Sequence, residues 1–360
     1  MTHIFATRRK AIAQELRRRQ LDCLLVTQPA NWFYLSGFTG EAGALAITPN
    51  GTTLITDGRF MVQARAECSG VRVELQKGVL SGSVGQWLKD HRISRAGFDP
   101  AQWTIAQLKA ARRTAGTKLK VIEAGGIVED LRTRKDAREL SAMRKAAILA
   151  GEVMHKAINS LKPGLRESEV AAEIEYQMKK LGASRPSFET IVASGQRTAL
   201  PHARPTSKRL KKNELVVLDL GAILAHYCSD MTRTVFLGRA PRRIREWYQG
   251  VNEARAAAVA AVRPGVTGGE VDAVARDVLR KCGLDQYFVH STGHGLGLEV
   301  HEDPRVARGQ SIRLEAGNVI TIEPGVYVED VGGIRIEDDV AVRSQGSEVL
   351  TRVTRDLIEL

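Results

Sequence analysis

LVVLDLGAILAHYCSDMTRTVFLG, residues 215–238, and VITIEPGVYVEDVGGIRIEDDVAV, residues 319–342, follow one plan. Each opens on an apolar strand that carries an acid, then one residue, then glycine: Asp219-Leu220-Gly221 and Glu323-Pro324-Gly325. Each continues into a second strand with a further acid, Asp230 or Glu337. The echo extends upstream. LKPGLRESEVAAEIEYQMKKLG (161–182) and VRPGVTGGEVDAVARDVLRKCG (262–283) share a Pro-Gly pair, a Glu-Val pair and a closing glycine after a helical stretch. Such self-similarity implies an internal duplication. Two half-domains related by a pseudo-twofold would bring functional groups from both halves to a common centre.

Asp219 and Glu323 stand in otherwise apolar strands, and an unpaired buried carboxylate is very costly. Either one alone is compatible with a strand-end acid that caps a turn or pairs with arginine. Both, at matched places in a repeat, point to a shared site. Asp230 and Glu337 add two more acids, with Arg233 and Arg335 near in sequence as alternative salt-bridge partners. Four converging carboxylates repel unless positive charge lies among them. Two divalent ions would balance them, and such an oxygen-rich set with mixed ligands suits Mn²⁺, Co²⁺ or Zn²⁺.

HSTGHGLGLEVHE, 290–302, supplies the nitrogen ligand. Gly293, Gly295 and Gly297 argue against a helix and suit a backbone that something approaches closely. His294, flanked by two of them, is the candidate, which leaves His290 and His301 for substrate. His301-Glu302 is followed by Asp303, Pro304 and Arg305, so the helix-borne HExxH zinc site is excluded. The glycine spacing is neither a P-loop nor a dinucleotide fingerprint.

The rest of the chain bounds the answer. Its 43% apolar and 26% charged residues suffice for a real core, and 360 residues allow one to three domains. Helical and strand patterns alternate up to GGIVEDLRTRKD (125–136), which reads as an α/β first domain over 1–130. It includes a loop at 31–40 and a hairpin about Asn50-Gly51. The second domain spans 131–360. Cys23, Cys68, Cys228 and Cys282 form no CxxC, which disfavours a disulfide framework or a thiolate zinc cluster. The net charge is +12, but its basic clusters are not interleaved with aromatics, which make up only 5% of the chain. Solvated basic faces are thus expected, and no nucleic-acid partner. With no secretory-type leader and no run of eighteen apolar residues, the expectation is a cytoplasmic protein without a membrane partner.

Taken together, Asp219 in LDLG, Asp230 in CSDMTRT, His294 in TGHGLGLEVHE, Glu323 in TIEPGVY and Glu337 in GIRIED resemble the pita-bread-fold dinuclear metallopeptidases, whose ligand order is Asp, Asp, His, Glu, Glu. NWFYLSGFTG (31–40) and TDGRF (56–60) resemble the creatinase-type domain that precedes the catalytic one in aminopeptidase P and prolidase. The resemblance implies an N-terminal creatinase-type α/β domain and a C-terminal pita-bread domain of pseudo-twofold α+β form. It implies hydrolysis of the bond before proline in short peptides by a hydroxide between two divalent metals, Mn²⁺ foremost. Xaa-Pro aminopeptidase is the leading expectation and prolidase, which acts on Xaa-Pro dipeptides, the alternative. A silent peptide-binding module is disfavoured because all five ligands are present.

The resemblance also assigns roles. Asp219 would be a bidentate ligand of one metal, Asp230 and Glu337 would link both, and His294 and Glu323 would complete the other. Glu323 would double as proton acceptor. His202 in PHARPT (201–206) or His301 would assist the oxyanion; alternatively His202 is an ordinary polar loop residue. His290 and Tyr327 would line the proline pocket; alternatively His290 is a hydrogen-bonded structural residue. Arg335 would reach a carboxylate or support Glu337. Relatives pair so that the first domain lies near a neighbour's site. A homodimer is therefore expected, with Trp32 and Phe33 as interface or core residues.

Overall fold

A computed structural model describes residues 2–360. The chain divides into two compact units, Met1–Arg132 and Thr133–Leu360. The first comprises α1 (Thr2–Arg18), β1 (Cys23–Val26), α2 (Pro29–Ser36), β2 (Ala44–Thr48), β3 (Gly51–Thr56) and α3 (Met61–Glu67). It continues with β4 (Arg72–Leu75), α4 (Leu80–Asp90), β5 (Arg95–Phe98), α5 (Ile105–Ala115), β6 (Lys120–Glu123) and α6 (Ile127–Thr133). One mixed sheet in the order β4-β3-β2-β1-β5-β6 carries the core, with β1 buried along its whole length. Ile55, Trp87 and Phe98 pack in the same cluster.

Two features differ from the sequence expectation. The segment expected as a loop over 31–40 contains helix α2. Pro29 stands in the first turn, where its missing N–H costs nothing, and Gly37 ends the helix at φ 81°. The helix buries Trp32 in the core, where its ring lies 5.9 Å from that of Phe38. Phe33 is half-buried beside Phe5. Trp32 is therefore a core residue of this unit. In the hairpin, Thr48 pairs with Gly51, so Pro49 and Asn50 form the two-residue turn. Thr48 Oγ1 takes the place of a turn acceptor for the amides of Asn50 and Gly51.

The second unit is built twice over. Its first half runs α7 (Ala137–Ser160), α8 (Glu167–Lys180), β7 (Arg185–Pro186), β8 (Ile191–Ser194), β9 (Glu214–Leu220), β10 (Ala222–Leu224), β11 (Tyr227–Cys228) and β12 (Met231–Leu237). Its second half runs α9 (Arg242–Ala261), α10 (Gly268–Lys281), β13 (Gly293–Gly295), β14 (Glu302–Val306), β15 (Val319–Ile322), β16 (Gly325–Val328), β17 (Gly332–Arg335), β18 (Asp338–Val342) and β19 (Ser347–Val349). Asp136 caps α7 and accepts from the amides of Arg138 and Glu139, while Glu139 reaches back to the amide of Asp136. Such a cap contributes about 1 kcal/mol. Thr267 and Glu270 do the same for α10.

Two core clusters are centred on one half each, and a third, with Leu140, Tyr227, Val319 and Ala341, joins the halves. Of the first two, Val153, Ile174, Leu218 and Val235 belong to one cluster; Val251, Leu279, Ile320 and Val340 belong to the other. The sheets are β12-β9-β8 and β14-β13-β15-β18-β19, and the repeated strand pairs, β9 with β12 and β15 with β18, are both antiparallel. Backbone and side-chain bonds of β12 stitch the halves together. The amide of Glu337 donates to the Thr232 carbonyl at 3.1 Å. Thr234 Oγ1 donates to the Arg335 carbonyl at 2.9 Å. Arg233, fully buried, donates to Asp338 Oδ1 at 2.9 Å and to the Glu337 carbonyl at 2.6 Å. It is thus the partner of Asp338, and neither Asp230 nor Glu337 owes its place to an ion pair with it.

Candidate metal centre

The repeat delivers its acids to the same end of each strand pair. Asp219, on β9, lies opposite Thr232, two residues beyond Asp230. On the other side Ile322 lies opposite Asp338, which sets Glu323 and Glu337 just past the paired ends. His294 comes from β13, which pairs with β15 next to Glu323. The short strand exists because its neighbours are glycines. A Cβ on Gly293 would collide with the Thr321 carbonyl, and one on Gly295 with the Asp303 carbonyl. That close packing presses the imidazole toward the acids.

Ligand atoms of Asp230, His294 and Glu337 lie within 4.8 Å of one another. His294 Nε2 is 3.7 Å from Asp230 Oδ2 and 3.5 Å from Glu323 Oε1, too long for direct hydrogen bonds. The other ring nitrogen, Nδ1, donates to the Gly295 carbonyl at 3.0 Å. That bond fixes the tautomer and leaves the Nε2 lone pair facing the carboxylates. Asp219 stands beside the triad. Its Oδ2 accepts from Arg335 at 2.5 Å, and its Oδ1 is buried with no hydrogen-bond partner.

Electrostatics single out the same place. Burial, and then the charges of Glu337 and Asp219, push the Asp230 carboxyl well above the usual range. Burial, then Glu323 and Asp219, do the same to Glu337. Burial raises Glu323 to about 8, although Arg335 opposes the rise. Burial lowers His294 to about 4, which keeps its imidazole neutral and able to ligate. Protein groups alone leave this cluster short of positive charge. An orphaned carboxylate oxygen, a neutral imidazole lone pair and a knot of buried acids are a donor set that fits divalent cations.

The histidines divide into two kinds. His290 is committed at both nitrogens: Nδ1 donates to the Ser291 carbonyl at 2.8 Å, and Nε2 accepts from Tyr327 Oη at 2.9 Å. His301 is exposed, with its ring 4.3 Å from that of His294, and partial desolvation lowers its pKa. His202 is exposed and lies within electrostatic reach of both His290 and His301. Tyr327 accepts from Arg335 at 2.8 Å. Arg335 itself is buried and also donates to Thr232 Oγ1, the Pro201 carbonyl and Asp219. Its hydrogen bond goes to Asp219, while its charge also acts on Glu337.

Sequence reasoning missed the hydroxyls that aim two of the acids. Thr232 Oγ1 donates to Glu337 Oε2 at 2.7 Å, and Thr321 Oγ1 to Glu323 Oε1 at 3.3 Å. A signal was available, since each threonine stands two residues from an acid of the repeat.

Comparison with known proteins agrees with this geometry. Residues 141–344 match Metallopeptidase family M24, and residues 8–134 match the Creatinase/Prolidase N-terminal domain. The Xaa-Pro dipeptidase of Pyrococcus horikoshii is 37% identical over 97% of this chain and 98% of its own. Among solved structures, Xaa-Pro dipeptidase from Bacillus anthracis superposes with a TM-score of 0.95 at 36% identity, covering 99% of this chain and 100% of that one. X-Pro aminopeptidase from Thermotoga maritima gives 0.89 at 34% identity, covering 96% and 100%. Matched across both units, the chain belongs to metallopeptidase family M24, as an enzyme with a pita-bread catalytic domain behind a creatinase-type N-terminal domain.

Proposed function

We propose that this protein hydrolyses the bond before proline in Xaa-Pro dipeptides, in the manner of a prolidase. The observation that carries the hydrolytic reading is the convergence of Asp230, His294 and Glu337, from both halves, within 4.8 Å. Asp219, with its orphaned Oδ1, and Glu323 complete the ligand set. The preference for dipeptides over longer peptides rests on the relatives, which at 36–37% identity over nearly the whole chain carry the name Xaa-Pro dipeptidase. It reverses the order expected from sequence, which put aminopeptidase first.

The five side chains would hold two divalent ions, Mn²⁺ first among Mn²⁺, Co²⁺ and Zn²⁺. Such ions supply a Lewis acid for the scissile carbonyl and a nucleophile of lowered pKa. The protein's own groups do the rest. Glu323 keeps 16% side-chain exposure, so its Oε1 can take a proton from water and return it to the leaving proline nitrogen. The exposed imidazoles of His202 and His301 would donate to the developing oxyanion. His290 and Tyr327, bonded to each other, form a wall against which a proline ring packs. Proline offers no amide hydrogen and a fixed φ, so shape and ring contact replace the usual backbone bond.

The test is hydrolysis of Ala-Pro against Ala-Pro-Ala by Mn²⁺-loaded protein, with released products resolved. Cleavage of the dipeptide alone is expected. Cleavage of the tripeptide at Ala-Pro would restore the aminopeptidase reading. We assign a homodimer on the family resemblance; light scattering that gave the mass of a single chain would remove it. Among the described residues no helix is long and apolar enough to cross a membrane.

A further inference from the structure

Glu167 is the first residue of α8 and is completely buried, yet it lies outside the ligand set. Its Oε1 accepts from the Ser194 amide and from Ser194 Oγ, both at 2.9 Å. Its Oε2 accepts from the Thr206 amide at 3.1 Å and from Thr206 Oγ1 at 2.7 Å. Arg197 Nε approaches both oxygens, at 3.3 and 3.1 Å, and the same guanidinium donates to the Arg204 carbonyl at 2.6 Å. One carboxylate therefore ties the two ends of the segment from Ser194 to Thr206, and its arginine partner ties the middle. A compact loop with its ends so joined is an Ω-loop, a form that carries function more often than not.

This loop presents His202. Its neighbour Pro201 offers its carbonyl to Arg335 at 3.1 Å, and Arg335 holds Asp219. A helix-terminal acid that served α8 alone would not need burial, and Glu169 already satisfies the amide of Arg166. The second half has a counterpart. Asp272 on α10 accepts from the Thr292 amide and hydroxyl, and its partner Arg276 donates to the carbonyls of Phe288 and His290. Each half pins its histidine-bearing loop with a helix-borne carboxylate and an arginine, although the residues come from different places in the repeat.

We propose that Glu167 is a positioning residue for catalysis, which acts by fixing the loop that aims His202 at the bound peptide. This rests on the reading of His202 as a substrate-facing group. The experiment is a double-mutant cycle on Mn²⁺-loaded protein with Ala-Pro as substrate, comparing Glu167→Gln, His202→Ala and the pair. Metal content and melting temperature are measured for each. Gln puts an NH₂ among the donors and breaks one side of the clamp. The expected loss in kcat is about 10- to 100-fold for Glu167→Gln with metal retained. In the His202→Ala background the same change should add little. Equal losses in both backgrounds, or wild-type kcat in Glu167→Gln, would overturn the proposal while leaving the assigned function standing. A silent His202→Ala would overturn the reading of His202, and this proposal with it. Should Glu167→Gln fail to fold, Thr206→Val removes one hydroxyl from the clamp and leaves the carboxylate paired; a smaller loss with the same dependence on His202 is expected, and an independent loss refutes the idea.

Discussion

Asp219 splits its two oxygens between protein and site. Oδ2 is saturated by Arg335, while Oδ1 is buried without a donor. That division is what a carboxylate does when one oxygen is reserved for a cation. Asp230 has no such guanidinium; its backbone amide is held by Asp339 Oδ2 at 3.1 Å, and its side chain faces the other acids. We expect Asp230→Asn to lose bound metal by more than the roughly 10- to 100-fold typical of an outer partner, and hydrolysis with it. Full occupancy by elemental analysis, with normal turnover, would refute the ligand scheme. His202 makes no such demand on the metals. His202→Ala is expected to lower kcat with metal content unchanged, by about the 10²- to 10⁴-fold range of a proton-transfer or oxyanion donor. Turnover equal to wild type would make it an ordinary loop histidine.

At the scale of elements, the acid-bearing strands of 215–238 and 319–342 were readable because the repeat wrote that pattern twice. An acid in an apolar strand is an anomaly, and its recurrence at a matched position turned the anomaly into a pattern. Helix α2 was not readable. Its tyrosine, asparagine and closing glycine look like loop chemistry, and only the tertiary core that takes Trp32 and Leu35 makes a helix of them. The partner of Arg335 was equally hidden, since Asp219 reaches it from a strand over a hundred residues earlier. The glycines about His294 were legible as close approach, and the structure names what approaches them. Gly293→Ala would drive a methyl group into the Thr321 carbonyl, a backbone atom that cannot swing aside. About 1–3 kcal/mol of destabilisation is expected in denaturant titration. Gly51, with nothing within 4 Å of its would-be Cβ, serves as the control. Equal effects at the two positions would contradict the packing.

Across the whole molecule, the massed acids couple charge to stability. In the metal-free protein Glu323 rises from 4.5 to about 8, and Asp230 and Glu337 rise with it. A carboxyl whose folded pKa is raised holds its proton more tightly folded than unfolded. Below the unfolded value it costs nothing; as pH climbs from about 4.5 toward 8 it loses stability for the fold. The melting temperature of chelated protein should fall over that window, and that of metal-loaded protein should not. A flat profile without metal would mean that the acids are not crowded as described. Polar residues whose role is to orient others, such as Glu167 and Asp338, stayed invisible in the sequence because their partners lie in remote segments with no shared spacing.

The two core clusters centred on the halves bear on the order of events as the chain folds. One lies almost wholly between Leu149 and Leu237 and the other mostly between Ala240 and Val342, so each half closes on shorter loops than the docking of one half on the other. The ligand set exists only once β12 has docked beside Glu337, 105 residues further along the chain. On that order cations bind after the halves have docked. Refolding should proceed at the same rate with or without Mn²⁺, while unfolding slows when it is present. Stopped-flow traces in which the ion accelerates refolding would instead put the assembled ligand set in the transition state.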